Sequence, residues 1–114
     1  MSATPPQTGI VAVFAKATAK PGKGDELEQL LVEARKSAES DAEPYTLTYR
    51  TTRHGDEFAI FEEYNQDIKD SEGRAGIAAH MAAPPFQKLQ ASGLVADIEI
   101  KFYNEFKPAG AAKM

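Results

Sequence analysis

The stretch IVAVFAKAT, residues 10–18, decides the fold, because its alternation puts apolar side chains on both faces of a strand. Ile10, Ala12 and Phe14 point one way; Val11, Val13 and Ala15 point the other. A strand of this kind belongs in the middle of a sheet. FAIF, residues 58–61, has the same two-faced character and is expected beside it.

Outward from the first strand, KPGKGDELEQLLVEARKSAES (20–40) reads as a turn and an amphipathic helix whose stripe is Leu27, Leu30, Leu31, Ala34 and Ala38. Asp25 is placed to cap the free N–H groups, with Glu28 three residues on as in a capping box. After Pro44, YTLTYRTTR (45–53) alternates Tyr45, Leu47 and Tyr49 against Thr46, Thr48 and Arg50. HGD (54–56), His54 included, supplies turn chemistry, and EFAIFEEY (57–64) returns as the partner strand. A helical region follows near residues 71–82. Pro84 and Pro85 then start a third helix through Gln90, closed by Gly93. VADIEIKFYNEF (95–106) is the last strand, its Ile98, Ile100 and Phe102 alternating with Asp97, Glu99 and Lys101.

The order β, α, β, β, α, β predicts an α+β, ferredoxin-like domain: a four-stranded antiparallel sheet with its helices on one face. Strands with one polar face, the second and fourth, fall at the edges. The central strands stay apolar on the face without helices, and the sheet of a second copy would bury it, giving a homodimeric α+β barrel. One domain is expected over residues 9–106, with a disordered tail at 1–8 and a flexible one at 107–114.

Composition bounds the function. Among 114 residues, 42% are apolar and 26% charged, ordinary values for a globular domain rather than a membrane span. Thirteen Lys and Arg against 17 Asp and Glu, with no basic run, offer no footprint for nucleic acid or anionic lipid. There is no cysteine, so thiolate metal sites are excluded, and His54 and His80 have no metal-ligand spacing. The start, MSATPPQTG, lacks the pattern of a secretory signal, which makes the cytoplasm the default.

Three segments in order, AKATAKPGKGDELEQLL, FAIFEEYN and AAHMAAPPFQKL, resemble the antibiotic biosynthesis monooxygenase-type dimeric α+β barrels, a group that includes quinol monooxygenases and small polyketide-oxidising enzymes. The resemblance covers about residues 9–105. It implies a cofactor-independent monooxygenase that takes a small aromatic, quinol or polyketide-like substrate and dioxygen, without metal or flavin. The substrate anion reduces dioxygen directly, so the protein must supply an apolar pocket and a group that removes or holds a proton. On this resemblance His80 is the proton-handling residue, Tyr64 a donor to a substrate oxygen and Glu62 an orienting carboxylate. Phe14, Phe58, Ile60, Phe86 and Leu89 are the expected pocket lining. Residue type alone allows duller roles: His80 at a helix end, Tyr64 with its hydroxyl in water, Glu62 solvated. An isomerase or decarboxylase of small ring compounds, or a non-catalytic ligand-binding dimer, is compatible with the same fold.

Overall fold

The structure is a computed structural model and describes residues 4–107; the parts of the expected tails at 1–3 and 108–114 lie outside them. The elements are β1 (Ile10–Ala19), α1 (Gly24–Ala38), β2 (Thr46–His54), β3 (Glu57–Asn65), α2 (Gly76–Ala82), α3 (Pro84–Ala91) and β4 (Val95–Asn104). The strands form one antiparallel sheet in the order β2-β3-β1-β4, with the helices on one face, which is the ferredoxin-like arrangement.

The alternation in β1 does what its side chains require. Val11, Val13, Ala15, Ala17 and Ala19 are all buried on the helix side. On the opposite, open face, Phe14 keeps 48% of its surface exposed and meets Phe61 at 5.0 Å and Tyr103 at 5.4 Å between ring centroids.

α1 buries Leu27, Leu31, Ala34 and Ala38 against the sheet, and each leucine so buried contributes roughly 1.5–3 kcal/mol. The capping box does not form. The helix begins at Gly24 with no side-chain cap. Asp25 and Glu28 instead accept hydrogen bonds from Arg53 Nη1 at 2.8 and 3.1 Å, because a charged guanidinium on β2 outcompetes the backbone donors. Gly24 permits this approach: a Cβ there would collide with Arg53 Nη2.

The β2–β3 hairpin turns at Gly55, whose φ of 62° is the left-handed value that the first position of a II′-type turn demands. A register shift between Thr46 and Thr48 breaks the expected alternation of β2, leaving Leu47 53% exposed while Tyr49 is buried. The helical reading of residues 71–82 is also corrected. α2 starts only at Gly76, because the Asp70 carboxylate binds the N–H groups of Glu72 and Arg74 at 2.9 and 2.8 Å and holds that stretch as a turn.

α2 sits tightly on the sheet. A Cβ at Gly76 would lie 3.1 Å from both the Tyr45 carbonyl and Tyr64 Cδ1, and the buried Gln66 side chain accepts the Ile77 N–H at 2.9 Å. Gln66 also donates to the Pro6 carbonyl at 2.9 Å, and Asn104 donates to that of Thr8 at 3.0 Å, so residues 6–8 lie against the domain edge. α3 starts at Pro84 as expected. On β4, Ile98 and Ile100 pair with Ala17 and Ala15, yet they remain 55% and 41% exposed because the helices stop short of that edge. Among the described residues no helix is long and apolar enough to cross a membrane.

Candidate active site

The gap that α1 and α3 leave over the β1–β4 half of the sheet is a cavity of about 330 Å³. Its wall is mainly apolar and includes Ala15, Leu31, Ile60, Phe86, Leu89 and Ile100. Polar side chains interrupt that wall at Tyr49, Glu62, Gln90 and Ser92, and the open rim lies at Ile98 and Ile100. A mainly apolar hollow with a few convergent polar groups is the usual form of a small-molecule site.

Behind the polar end of the wall lies a cluster drawn from five elements and one loop. Tyr64 on β3 is fully buried and donates its hydroxyl to Glu62 Oε1 at 2.5 Å. His80, in the last turn of α2, is 3% exposed, and its Nδ1 lies 2.6 Å from Glu43 Oε1. Glu43, in the loop between α1 and β2, is itself buried and accepts a hydrogen bond from the Ser37 hydroxyl on α1. The imidazole is packed among Tyr49, Phe86 and Tyr64, at centroid separations of 5.1, 5.2 and 5.9 Å. Its Nε2 is buried with no hydrogen-bond partner among the described residues.

Electrostatics follow from this burial. Loss of water raises the Glu62 carboxyl above its ordinary range, with the Tyr64 hydrogen bond opposing the shift. Burial first, and then the Glu62 charge, hold Tyr49 and Tyr64 well above an ordinary phenol, so both keep their protons at neutral pH.

The side chains expected at the site separate into groups. His80, Tyr64 and Glu62 converge; His80 does sit at a helix end, but it and Tyr64 are buried rather than in water. Only Glu62 of the three lines the cavity; His80 lies one ring behind the wall formed by Tyr49 and Phe86. Tyr64 gives its hydroxyl to Glu62 rather than presenting it to the hollow. Ile60, Phe86 and Leu89 are lining residues, as expected. Phe58 instead packs in the core under the Arg53 guanidinium, 5.2 Å from its ring centroid. Phe14 lies on the other face of the sheet, because on β1 the even positions point away from the helices. Sequence reading missed Tyr49 and Glu43. The Tyr45–Leu47–Tyr49 alternation could have suggested Tyr49 for the helix side, but Glu43 sits in a polar loop 37 residues from its partner, with no local signal.

An antiparallel ferredoxin-like sheet, with a hollow under its helices and a buried carboxylate–imidazole–phenol cluster at one end, defines the chain as an α+β domain whose candidate site is that hollow. Solved structures share this fold. PA3566 from Pseudomonas aeruginosa matches with a TM-score of 0.70 at 19% identity, over 89% of this chain and 98% of that one. Two structures named "putative antibiotic biosynthesis monooxygenase" match as well. The one from Chloroflexus aurantiacus J-10-fl has a TM-score of 0.64 and 23% identity, over 90% of this chain and 98% of its own. The one from Caulobacter crescentus CB15 has 0.68 and 20%, over 89% and 93%. No protein-family model matches the sequence, and no curated protein matches it. At these identities the likeness is one of fold.

Proposed function

We propose that the chain is a monooxygenase that oxidises a small, electron-rich phenol or quinol with dioxygen, working as a homodimer and without a prosthetic group. The observation that carries this reading is Glu62: a carboxylate in the wall of an otherwise apolar cavity, made more basic by burial and hydrogen-bonded to Tyr64. Such a group accepts a phenolic proton better than an exposed carboxylate does. The apolar wall around it holds an aromatic ring and dioxygen away from bulk water.

In this scheme Glu62 takes the substrate hydroxyl proton, and the Tyr64 hydroxyl steadies the carboxylate. Tyr49, which keeps its proton, donates to a substrate oxygen. His80 is the next proton acceptor inward, behind Tyr49 and Phe86. The substrate anion passes electrons to dioxygen and a C–O bond forms at a ring carbon; O–O cleavage leaves one oxygen atom in the product, and the other departs as water, taking the hydrogen lost from that carbon and the proton returned by Glu62. The substrate supplies all the electrons. The names of two structures of the same fold support the reading.

The test is oxygen uptake by the purified protein with a panel of hydroquinones, naphthohydroquinones and anthrones. Expected is one dioxygen consumed per oxygenated product, with no added reductant, flavin or metal. Rearrangement or decarboxylation of a ring substrate with no oxygen consumed would replace this reading by an acid–base one, and binding without turnover would replace it by a ligand-binding one.

The dimer is supported by the open face of the sheet, where Phe14 and Tyr103 are half exposed and cluster with Phe61. Apolar patches of this kind are typically covered in soluble proteins. Light scattering at micromolar concentration is expected to give twice the chain mass, and replacing both Phe14 and Tyr103 with Lys is expected to halve it. A wild-type monomer overturns the dimer.

A further inference from the structure

We propose that Glu43 is a positioning residue that fixes the tautomer of His80, holding the proton on Nδ1 so that the buried Nε2 is kept as a bare acceptor at the inner end of the site. The inference deepens the reading given under Proposed function and rests on it for its kinetic arm alone.

The geometry is that of an oriented imidazole. Glu43 Oε1 stands 2.6 Å from Nδ1, within the reach of a strong, charge-assisted hydrogen bond. A carboxylate accepts and does not donate, so the nitrogen facing it carries the hydrogen. In the neutral ring the other nitrogen then holds the lone pair. Glu43 is itself held: its second oxygen takes the Ser37 hydroxyl, and the side chain is 1% exposed, which leaves water little access to the pair.

Nε2 is the informative atom. A buried polar atom without a partner is costly, and natural folds rarely keep one. It is enclosed by rings rather than by donors, with Tyr49 and Phe86 between it and the cavity, and Tyr49 and Phe86 also line that cavity. A buried imidazole needs one acceptor for its N–H, which a backbone carbonyl could supply; here the acceptor is a buried carboxylate. Glu43, buried at a loop whose other residues are largely solvated, is otherwise hard to account for on packing grounds. The facing charged and titratable groups are Glu43 from the α1–β2 loop, Tyr49 from β2, and Glu62 and Tyr64 from β3.

The test reads the tautomer directly. The full chain has two histidines, so imidazole nitrogen NMR of uniformly ¹⁵N-labelled protein near neutral pH is assignable with a His54→Gln variant. Expected for His80 is a protonated Nδ1 and a bare Nε2. A protonated Nε2, whether in the other tautomer or in an imidazolium, overturns the proposal. In Glu43→Gln, whose amide can either accept from or donate to the ring, the His80 population is expected to move toward the Nε2–H tautomer, and Glu43→Asp to retain the wild-type pattern. An unchanged tautomer in folded Glu43→Gln also overturns it. If neither variant folds, the wild-type spectrum still decides.

On a substrate that is turned over, Glu43→Gln is expected to lower kcat by about 100-fold or more with little change in KM, as when an imidazole is left in the wrong tautomer. Retained kcat in a variant with a shifted tautomer removes the positioning role. Should no substrate be oxidised, the oxygenase reading fails while the tautomer result stands or falls by itself.

Discussion

Replacing Glu62 with Gln is expected to lower turnover by about 100-fold or more while raising the melting temperature. Glutamine matches the carboxylate in shape and can still accept the Tyr64 hydroxyl, so the wall of the cavity stays filled. What disappears is the ability to take a proton, and general-base catalysis typically contributes that much. The stability gain follows from the sign of the titration. Burial raises the Glu62 pKa in the folded state, so between the unfolded and folded values the folded chain binds more protons than the unfolded one. Its contribution is therefore fully present below the unfolded value and is lost as pH rises through the folded one. The Glu62→Gln variant carries no such loss. Thermal melts at several pH values are expected to show the wild type falling relative to the variant as pH increases through this window. In the wild type, kcat/KM rises over the same window, because the base must be ionised. Turnover in Glu62→Gln equal to that of the wild type ends the catalytic role of this carboxylate.

His80→Ala is expected to have the largest effect on stability of any single substitution at the site. Removing the ring strips Glu43, which is 1% exposed, of its Nδ1 partner and leaves it with the Ser37 hydroxyl alone. It also opens a void among Tyr49, Tyr64 and Phe86. Breaking a buried pair from one side typically costs about 3–5 kcal/mol. For a domain of this size that lowers the melting temperature by roughly 10–20 °C. The contribution of the contact itself is separated by a double-mutant cycle. Glu43→Ala in the His80→Ala background should cost less than it does in the wild type, because the stranded carboxyl is then gone. Additive losses in denaturant titrations would show that the Nδ1–Oε1 contact carries no energy. Turnover per folded molecule in His80→Ala, measured below the lowered melting temperature, reports the catalytic share independently.

Much of this architecture was legible in the chain because it depends on local alternation and turn chemistry. Two-faced apolar strands at 10–18 and 58–61 lead to the centre of the sheet, and Pro84 and Gly93 bound α3. Where longer-range partners compete, local reading gives way. Asp25 and Glu28 have the spacing of a capping box, but Arg53 reaches them across the fold. Leu47 has the period of a buried residue, but a register shift turns it out to solvent. Phe14 has the size of a pocket residue, but the parity of its position on β1 sends it to the other face.

The candidate site divides along the same line. Sequence alone determined that His80, Tyr64 and Glu62 are available on neighbouring elements, since period and order along a chain place residues on faces of helices and strands. Only the tertiary structure decided what each of them meets: Glu62 at the wall of the hollow, Tyr64 committed to Glu62, and His80 one layer back with Glu43 on its Nδ1. The physical reason is that a buried polar group must find a partner wherever the folded chain offers one. The loop that supplies Glu43 approaches His80 through the packing of α1 and α2 on one sheet, which no local pattern encodes.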